Sequence, residues 1–232
     1  METIYLGLIK ACQLLWALDP QVLKISWLTL KVSGTATMIS VLIGVPLGTY
    51  LALADFPGRK IVVSVVNFGM GLPPVVVGLW VSIFLWRNGP FGFLGIMYTP
   101  AAIIVAQAII AVPVVTSFTL ATMQQTSHKL RLQILALGAS SVQLLWYLLW
   151  EARLGLLSAI IAGFGAVVSE VGASMMVGGN ILDQTRVLTT ATVLEVSKGA
   201  FDVAIALSLV LLGLAYGVTL ILTLIQQRRI GL

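Results

Sequence analysis

The chemistry available to this sequence lies in one carboxylate and one glycine-centred loop. Glu170 sits inside the apolar run 154–179, and the polar stretch 129–151 ahead of it holds Ala136-Leu137-Gly138-Ala139-Ser140. An apolar segment of that length spans a bilayer, whereas a loop flanked by Lys129, Arg131, Glu151 and Arg153 must lie outside the hydrocarbon. A charge at the middle of a spanning helix costs about 2.5–3.5 kcal/mol on insertion scales, so Glu170 needs a reason to be there. Two readings stand: a functional acid facing a cavity, or a carboxylate hydrogen-bonded to backbone groups or to hydroxyls such as Ser169 and Ser174. Proton relay by Glu170 alone is disfavoured, because no second ionisable residue stands by it in the run.

Signatures of catalysis are missing. The sequence has no HExxH, no GxSxG and no GxxxxGK[ST] loop for nucleotide phosphates. A single Cys12 excludes an intrachain disulfide, and a lone His128 argues against a His-based metal site or dyad. No catalytic residue and no metal ligand is assigned. Any ATP-driven work would need another polypeptide to bind the ATP. The net charge of +5 comes from 13 Lys and Arg scattered between apolar runs, without the clustered patch that nucleic acid requires.

The elements around these residues are membrane helices. The chain is 59% hydrophobic and 9% charged, with a mean hydropathy of +1.07, whereas soluble domains carry about a quarter charged residues. The apolar runs are continuous, which favours helices over the alternating strands of a membrane barrel. Five spans are expected, at 26–54, 61–86, 100–123, 154–177 and 200–224, in a single transmembrane domain covering 1–232 with a polar loop at 124–153. Residues 4–18 lack the features of a cleaved signal peptide. They are expected to form an amphipathic interfacial helix, a short span being the alternative. Gly44 and Gly48, and Gly213 and Gly217, form small-residue pairs that permit close helix approach. Gly69, Gly71, Pro73 and Pro74 interrupt the second span, where either a packed kink or a pore-lining break fits. Val142, Leu145, Trp146 and Leu149 fall at i, i+3, i+4 and i+7 and predict an apolar helix face after the glycine loop. With that loop inside, basic residues number seven inside against six outside, a weak bias for this orientation.

At Gly138 the sequence resembles the permease subunits of ABC importers, whose cytoplasmic loop reads Glu-Ala-Ala followed by a glycine. Leu137-Gly138-Ala139-Ser140 matches the glycine end, while Leu132-Gln133-Ile134 departs from the acidic and alanine part. The resemblance is closer to tungstate-type permeases of the molybdate/tungstate/sulfate group. It rests on Val45-Pro46-Leu47-Gly48, Phe56-Pro57-Gly58-Arg59, Gly71-Leu72-Pro73-Pro74, Ser169-Glu170-Val171-Gly172-Ala173 and Met175-Met176-Val177-Gly178-Gly179-Asn180.

The resemblance implies an all-α polytopic permease of the type I importer fold in the inner membrane of a prokaryote. It implies a homodimer working with a cytoplasmic ABC ATPase, which binds ATP and Mg, and with an extracytoplasmic oxyanion-binding protein. The chain itself is then no enzyme, holds no cofactor and contacts membrane lipid and no nucleic acid. Tungstate is the expected substrate, with molybdate or sulfate as the alternative. Gly138, Ala139, Ser140, Val142, Leu145, Trp146 and Leu149 are expected to couple to the ATPase. Pro73, Pro74, Ser169, Glu170, Gly172 and Ala173 are expected to form the translocation path or its gate. Rival readings are a secondary transporter using Glu170 for ion coupling, which usually shows two related halves, and a non-transporting scaffold.

Overall fold

The computed structural model describes residues 19–126 and 128–227, together with Tyr5, Ile9 and Gln13. The rest of the expected interfacial helix at 4–18, and Arg228 and Arg229, lie outside the described residues. Ten α-helices and one 3-10 turn make up the described chain, with no strand among the described residues.

The first helix, α1 (Pro20–Leu53), begins where Asp19 Oδ1 accepts from the backbone N–H groups of Gln21 and Val22, each at 3.0 Å. Pro20 fills the first helical position, where its missing N–H costs nothing. At 34 residues, or roughly 51 Å at 1.5 Å per residue, α1 is longer than the hydrocarbon is thick. Hydroxyls within it fold back onto the preceding turn: Thr37 donates to the Ser33 carbonyl and Ser40 to that of Ala36, both at 2.7 Å. This hides polar groups from lipid.

Two broken helix pairs follow from the sequence. The region expected as a span at 61–86 is α2 (Arg59–Met70) and α3 (Pro74–Leu85), bent by 101°. Pro73 and Pro74 offer no N–H to continue the ladder. After α4 (Pro100–Gln125) come α5 (His128–Ala136), α6 (Ser141–Glu151) and α7 (Arg153–Val168), with a 67° bend between α6 and α7. The run expected at 154–177 is interrupted at 169–171, and the short α8 (Gly172–Gly178) continues it. α9 (Leu188–Ser197) and α10 (Phe201–Gln227) complete the fold. By length and composition α1, α4 and α10 can each cross a membrane alone, and up to five crossings result if each bent pair counts as one.

Helices α1 and α4 run parallel at the centre. Val32 packs with Ala102 and Ile103 near their starts, and a Cβ at Gly48 would lie 2.8 Å from Thr119 Cβ near their ends. A Cβ at Gly44 would meet Val115 Cβ at 2.9 Å. The Gly44/Gly48 pair therefore permits close helix approach as expected, and the helix it admits is α4 of the same chain. Gly213 and Gly217 have nothing within 4 Å of their Cβ positions. Helix α7 packs on the same α4, with Gly155 against Thr122 and Gly163 against Val115. Gln226 Nε2 ties α10 to the start of α7 through the Leu154 carbonyl at 3.0 Å and Ser158 Oγ at 2.9 Å. The turn 54–58, the stretch 128–152 and the end of α10 thus share one end of the bundle.

Adding a methyl group at two glycines of α1 separates packing from propensity. Gly48→Ala places Cβ 2.5 Å from the Thr116 carbonyl oxygen, whereas Gly34→Ala meets nothing within 4 Å. In detergent, Gly48→Ala is expected to lower the melting temperature, with a loss of about 1–3 kcal/mol. Gly34→Ala is expected to gain roughly 0.5–1 kcal/mol by helix propensity. Equal shifts in tryptophan-fluorescence melts would contradict the parallel contact.

Candidate functional site: two helix breaks and a glycine loop

The break between α7 and α8 is organised by Glu170, which is 4% exposed. Its Oε1 accepts from the Ala173 N–H at 2.6 Å, and its Oε2 accepts from the Ser174 N–H at 2.9 Å and from Ser174 Oγ at 2.6 Å. A new helix start leaves N–H groups without partners, and the carboxylate meets two of them, as a capping side chain does. The backbone oxygen of Glu170 accepts from Thr189 Oγ1 at 3.0 Å, which joins the break to α9. Gln107 Nε2 of α4 donates to Ser174 Oγ at 3.3 Å, extending the network across the bundle. Ser169 stands apart: its side chain is exposed, and Oγ donates to the Gly165 carbonyl at 2.8 Å.

The two breaks meet. A Cβ at Gly172 would lie 2.8 Å from Val75 Cγ2, and one at Gly78 would lie 2.7 Å from Ala173 Cα. Backbone approach this close requires the small residues found there. Pro73 and Pro74 open α3 beside this contact and are exposed, while Ala173 is buried. The Pro73 carbonyl accepts from Val76 N at 2.9 Å, so the proline break also closes its own hydrogen bonds. Pro73, Pro74, Glu170, Gly172 and Ala173 are therefore brought together, and only Ser169 faces elsewhere.

At the other end, α5 stops in a reverse turn at Gly138, whose φ is +81°. Gly138 N donates to the Leu135 carbonyl at 2.9 Å and Ala139 N to that of Ile134 at 3.4 Å. These are the paired bonds of a Schellman C-cap, whose left-handed position favours glycine. Ser140 then starts α6 with a capping box: Gln143 N donates to its Oγ at 3.4 Å, and its own N–H donates to Gln143 Oε1 at 2.8 Å. One face of α6 packs inward, with Leu148 buried against Met123 and Ala152, and Leu144 and Leu149 packed beside them. Val142 at 78% and Trp146 at 66% exposure point outward, with Leu145 at the edge. The predicted apolar face is thus divided, Leu149 turning inward while Val142, Leu145 and Trp146 stay exposed.

Residues 44–231 match the family described as the binding-protein-dependent transport system inner membrane component. The chain belongs to that family. It is similar to the tungstate uptake system permease of Peptoclostridium acidaminophilum, 36% identical over 98% of this chain and all of the relative. A probable anion ABC transporter permease of Haloferax volcanii is 40% identical over 84% of this chain and 86% of its own. The fold matches that in a crystal structure of an amino acid ABC transporter with histidines at a TM-score of 0.64 and 18% identity, covering 92% and 96% of the two chains. The chain is thus an ABC importer permease of the cell membrane.

Sequence reasoning missed two members of the permease's buried network. Gln107 is 2% exposed and is the one amide in the apolar first part of α4, residues 100–115, a rarity in hydrocarbon that could have marked it. Thr189 lies in a Thr-rich stretch where nothing local singles it out. The spacing of Glu170 to Ala173 and Ser174, three and four residues on, was itself a capping signal.

Removing the Glu170 carboxylate leaves three donors without an acceptor. Charge-assisted bonds are worth about 1.5–3 kcal/mol each, and an orphaned buried donor costs about 1–3 kcal/mol. The melting temperature of the purified permease is expected to fall in the order wild type, Ser174→Ala, Glu170→Gln, Glu170→Leu. A Glu170→Leu protein that melts with wild type would contradict the capping role.

Proposed function

We propose that this permease is the membrane-spanning subunit of an ATP-driven importer for a tungstate-type tetrahedral oxyanion, acting as a homodimer. The observation that carries the substrate is the full-length similarity to a tungstate uptake permease at 36% identity, against 28% for sulfate and molybdenum permeases. Its partners are a cytoplasmic ATPase, which binds ATP and Mg, and an extracytoplasmic oxyanion-binding protein.

Support for the homodimer is geometric. Up to five crossings in one chain do not enclose a path for an anion. Helix α10 leaves Gly213 and Gly217 open beside Leu212, Tyr216 and Ile221, each at least 60% exposed. Support for coupling lies in the glycine loop: Val142 and Trp146 stand clear of the bundle on a helix whose other face is anchored to α4. A force applied to α6 reaches α7 through Ala152, which closes one helix and opens the other. The interlocked breaks of α3 and α8 lie further along α7 and serve as the gate. Glu170 acts there by holding the start of α8. With its oxygens committed to three protein donors, ion coupling by this acid is disfavoured.

The test is reconstitution with the ATPase and the binding protein, measuring uptake of tungstate in competition with molybdate and sulfate. Tungstate is expected to be taken up preferentially, and preferential sulfate uptake would overturn the substrate. Trp146→Ala removes an exposed aromatic anchor, and such anchors are commonly worth more than 1 kcal/mol. It is expected to weaken ATPase binding about tenfold, and Gly138→Asp to disturb the cap and uncouple hydrolysis from uptake. If both variants keep full ATPase association and uptake, the loop is not the coupling element.

A further inference from the structure

Helix α2 carries a polar stripe that neither the breaks nor the coupling loop uses. Lys60, Ser64 and Asn67 recur at i, i+4 and i+7, which places them on one helical face, and all three are exposed. The neighbouring flank is apolar: Ile61, Val65 and Phe68 are 70%, 62% and 68% exposed. Asn67 lies eight residues into α2, or roughly 12 Å at 1.5 Å per residue, so it sits at hydrocarbon depth. There, polar side chains face a bundle interior or a water-filled cavity and not lipid.

The polarity of the stripe has a definite sign. Ser117 Oγ of α4 donates to Asn67 Oδ1 at 2.9 Å, which engages the amide through its oxygen and leaves the NH2 group as its free donor. That NH2, the Ser64 hydroxyl and the Lys60 ammonium have no partner among the described residues. An amide NH2 and an ammonium offer only donors, and the Ser64 hydroxyl can donate as well, a set that suits an oxyanion better than a cation. At its lower end the stripe meets a cleft lined by residues 55–61, where Asp55 and Arg59 also lie and where Arg59 Nε donates to the Leu51 carbonyl at 2.7 Å. At its upper end it reaches the break of α2 and α3.

We infer that the Lys60–Ser64–Asn67 stripe is the cytoplasmic half of the anion path, with Asn67 as the residue that contacts the oxyanion below the gate. This rests on the oxyanion reading above. It adds a donor ladder on which a dianion released by the gate exchanges one set of hydrogen bonds for the next. Lys60 is positioned to attract either the free anion or a lipid phosphate, and the test separates the two.

In a Cys12→Ser background, single cysteines replace Ser64, Asn67, Val65 or Phe68 in the reconstituted complex. A negatively charged, membrane-impermeant methanethiosulfonate is expected to modify positions 64 and 67 about tenfold faster than 65 and 68. Equal rates, or disulfides between two copies at 67 without labelling, would overturn the path. Separately, Asn67→Asp keeps the Ser117 bond and replaces the donor with a carboxylate oxygen. Losing a charge-assisted hydrogen bond corresponds to about tenfold, the expected fall in tungstate taken up per ATP hydrolysed. Asn67→Leu loses the same donor and is expected to fall about as far, and Asn67→Asp within twofold of wild type would sink the assignment. Lys60→Gln is expected to reduce uptake equally in vesicles of neutral and of anionic lipid. A loss confined to anionic vesicles would assign Lys60 to headgroups and overturn its place in the path. A wild-type complex that takes up no tungstate, molybdate or sulfate contradicts the oxyanion reading itself. Uptake with uniform labelling contradicts the path alone.

Discussion

Inside hydrocarbon every backbone polar group must find its partner within the protein, and each failure costs several kcal/mol. A straight spanning helix meets this requirement automatically, while a broken one does not. This permease breaks its apolar segments at 71–73 and at 169–171, and resolves each break differently. Prolines at the first contribute no donor, and the Pro73 carbonyl accepts from the next turn. The second has no proline, and the Glu170 carboxylate supplies the missing acceptors. The charge that looks expensive in the sequence is what makes the second break tolerable.

The two breaks are also one contact. Gly172 lies against Val75 and Gly78 against Ala173, so neither α3 nor α8 can shift without the other. Close-packed contacts of this kind favour discrete arrangements over gradual deformation. On the proposed reading, ATP-driven displacement of α6 passes through α7 to this contact and switches it. Gln107 and Thr189 fasten the same region to α4 and α9, limiting which elements can move with it.

Much of this was legible in the sequence, for reasons that can be named. Helices α4 and α10 are uninterrupted apolar runs, and their expected ranges of 100–123 and 200–224 differ from the observed ones by a few residues. In sequence Asp19-Pro20 reads as a breaker, which puts the expected start of the first span at 26, whereas in the structure it is a cap followed by a first-turn proline. The prolines at 73 and 74 announced an interruption but not its 101° angle, which packing against α8 and α4 decides. The break at 169–171 had no Pro to announce it, and hydropathy runs straight through. The α6 periodicity revealed an apolar face without showing that Leu149 turns inward, because Leu144 and Leu148 give the helix a second apolar face. Gly44/Gly48 and Gly213/Gly217 look alike in sequence, and only the structure shows that α4 fills the first pair.

The central claim is that the interlocked breaks of α3 and α8 gate the path and that the glycine loop drives them. Cysteines at Val75 and Gly172, in a chain with Cys12→Ser, would let an oxidant join the two breaks reversibly. In the reconstituted importer, tungstate uptake measured before oxidation, after it and after reduction decides the matter. The account predicts that the cross-link abolishes uptake while the ATPase stays bound, and that reduction restores it. Full uptake through a verified cross-link would contradict it.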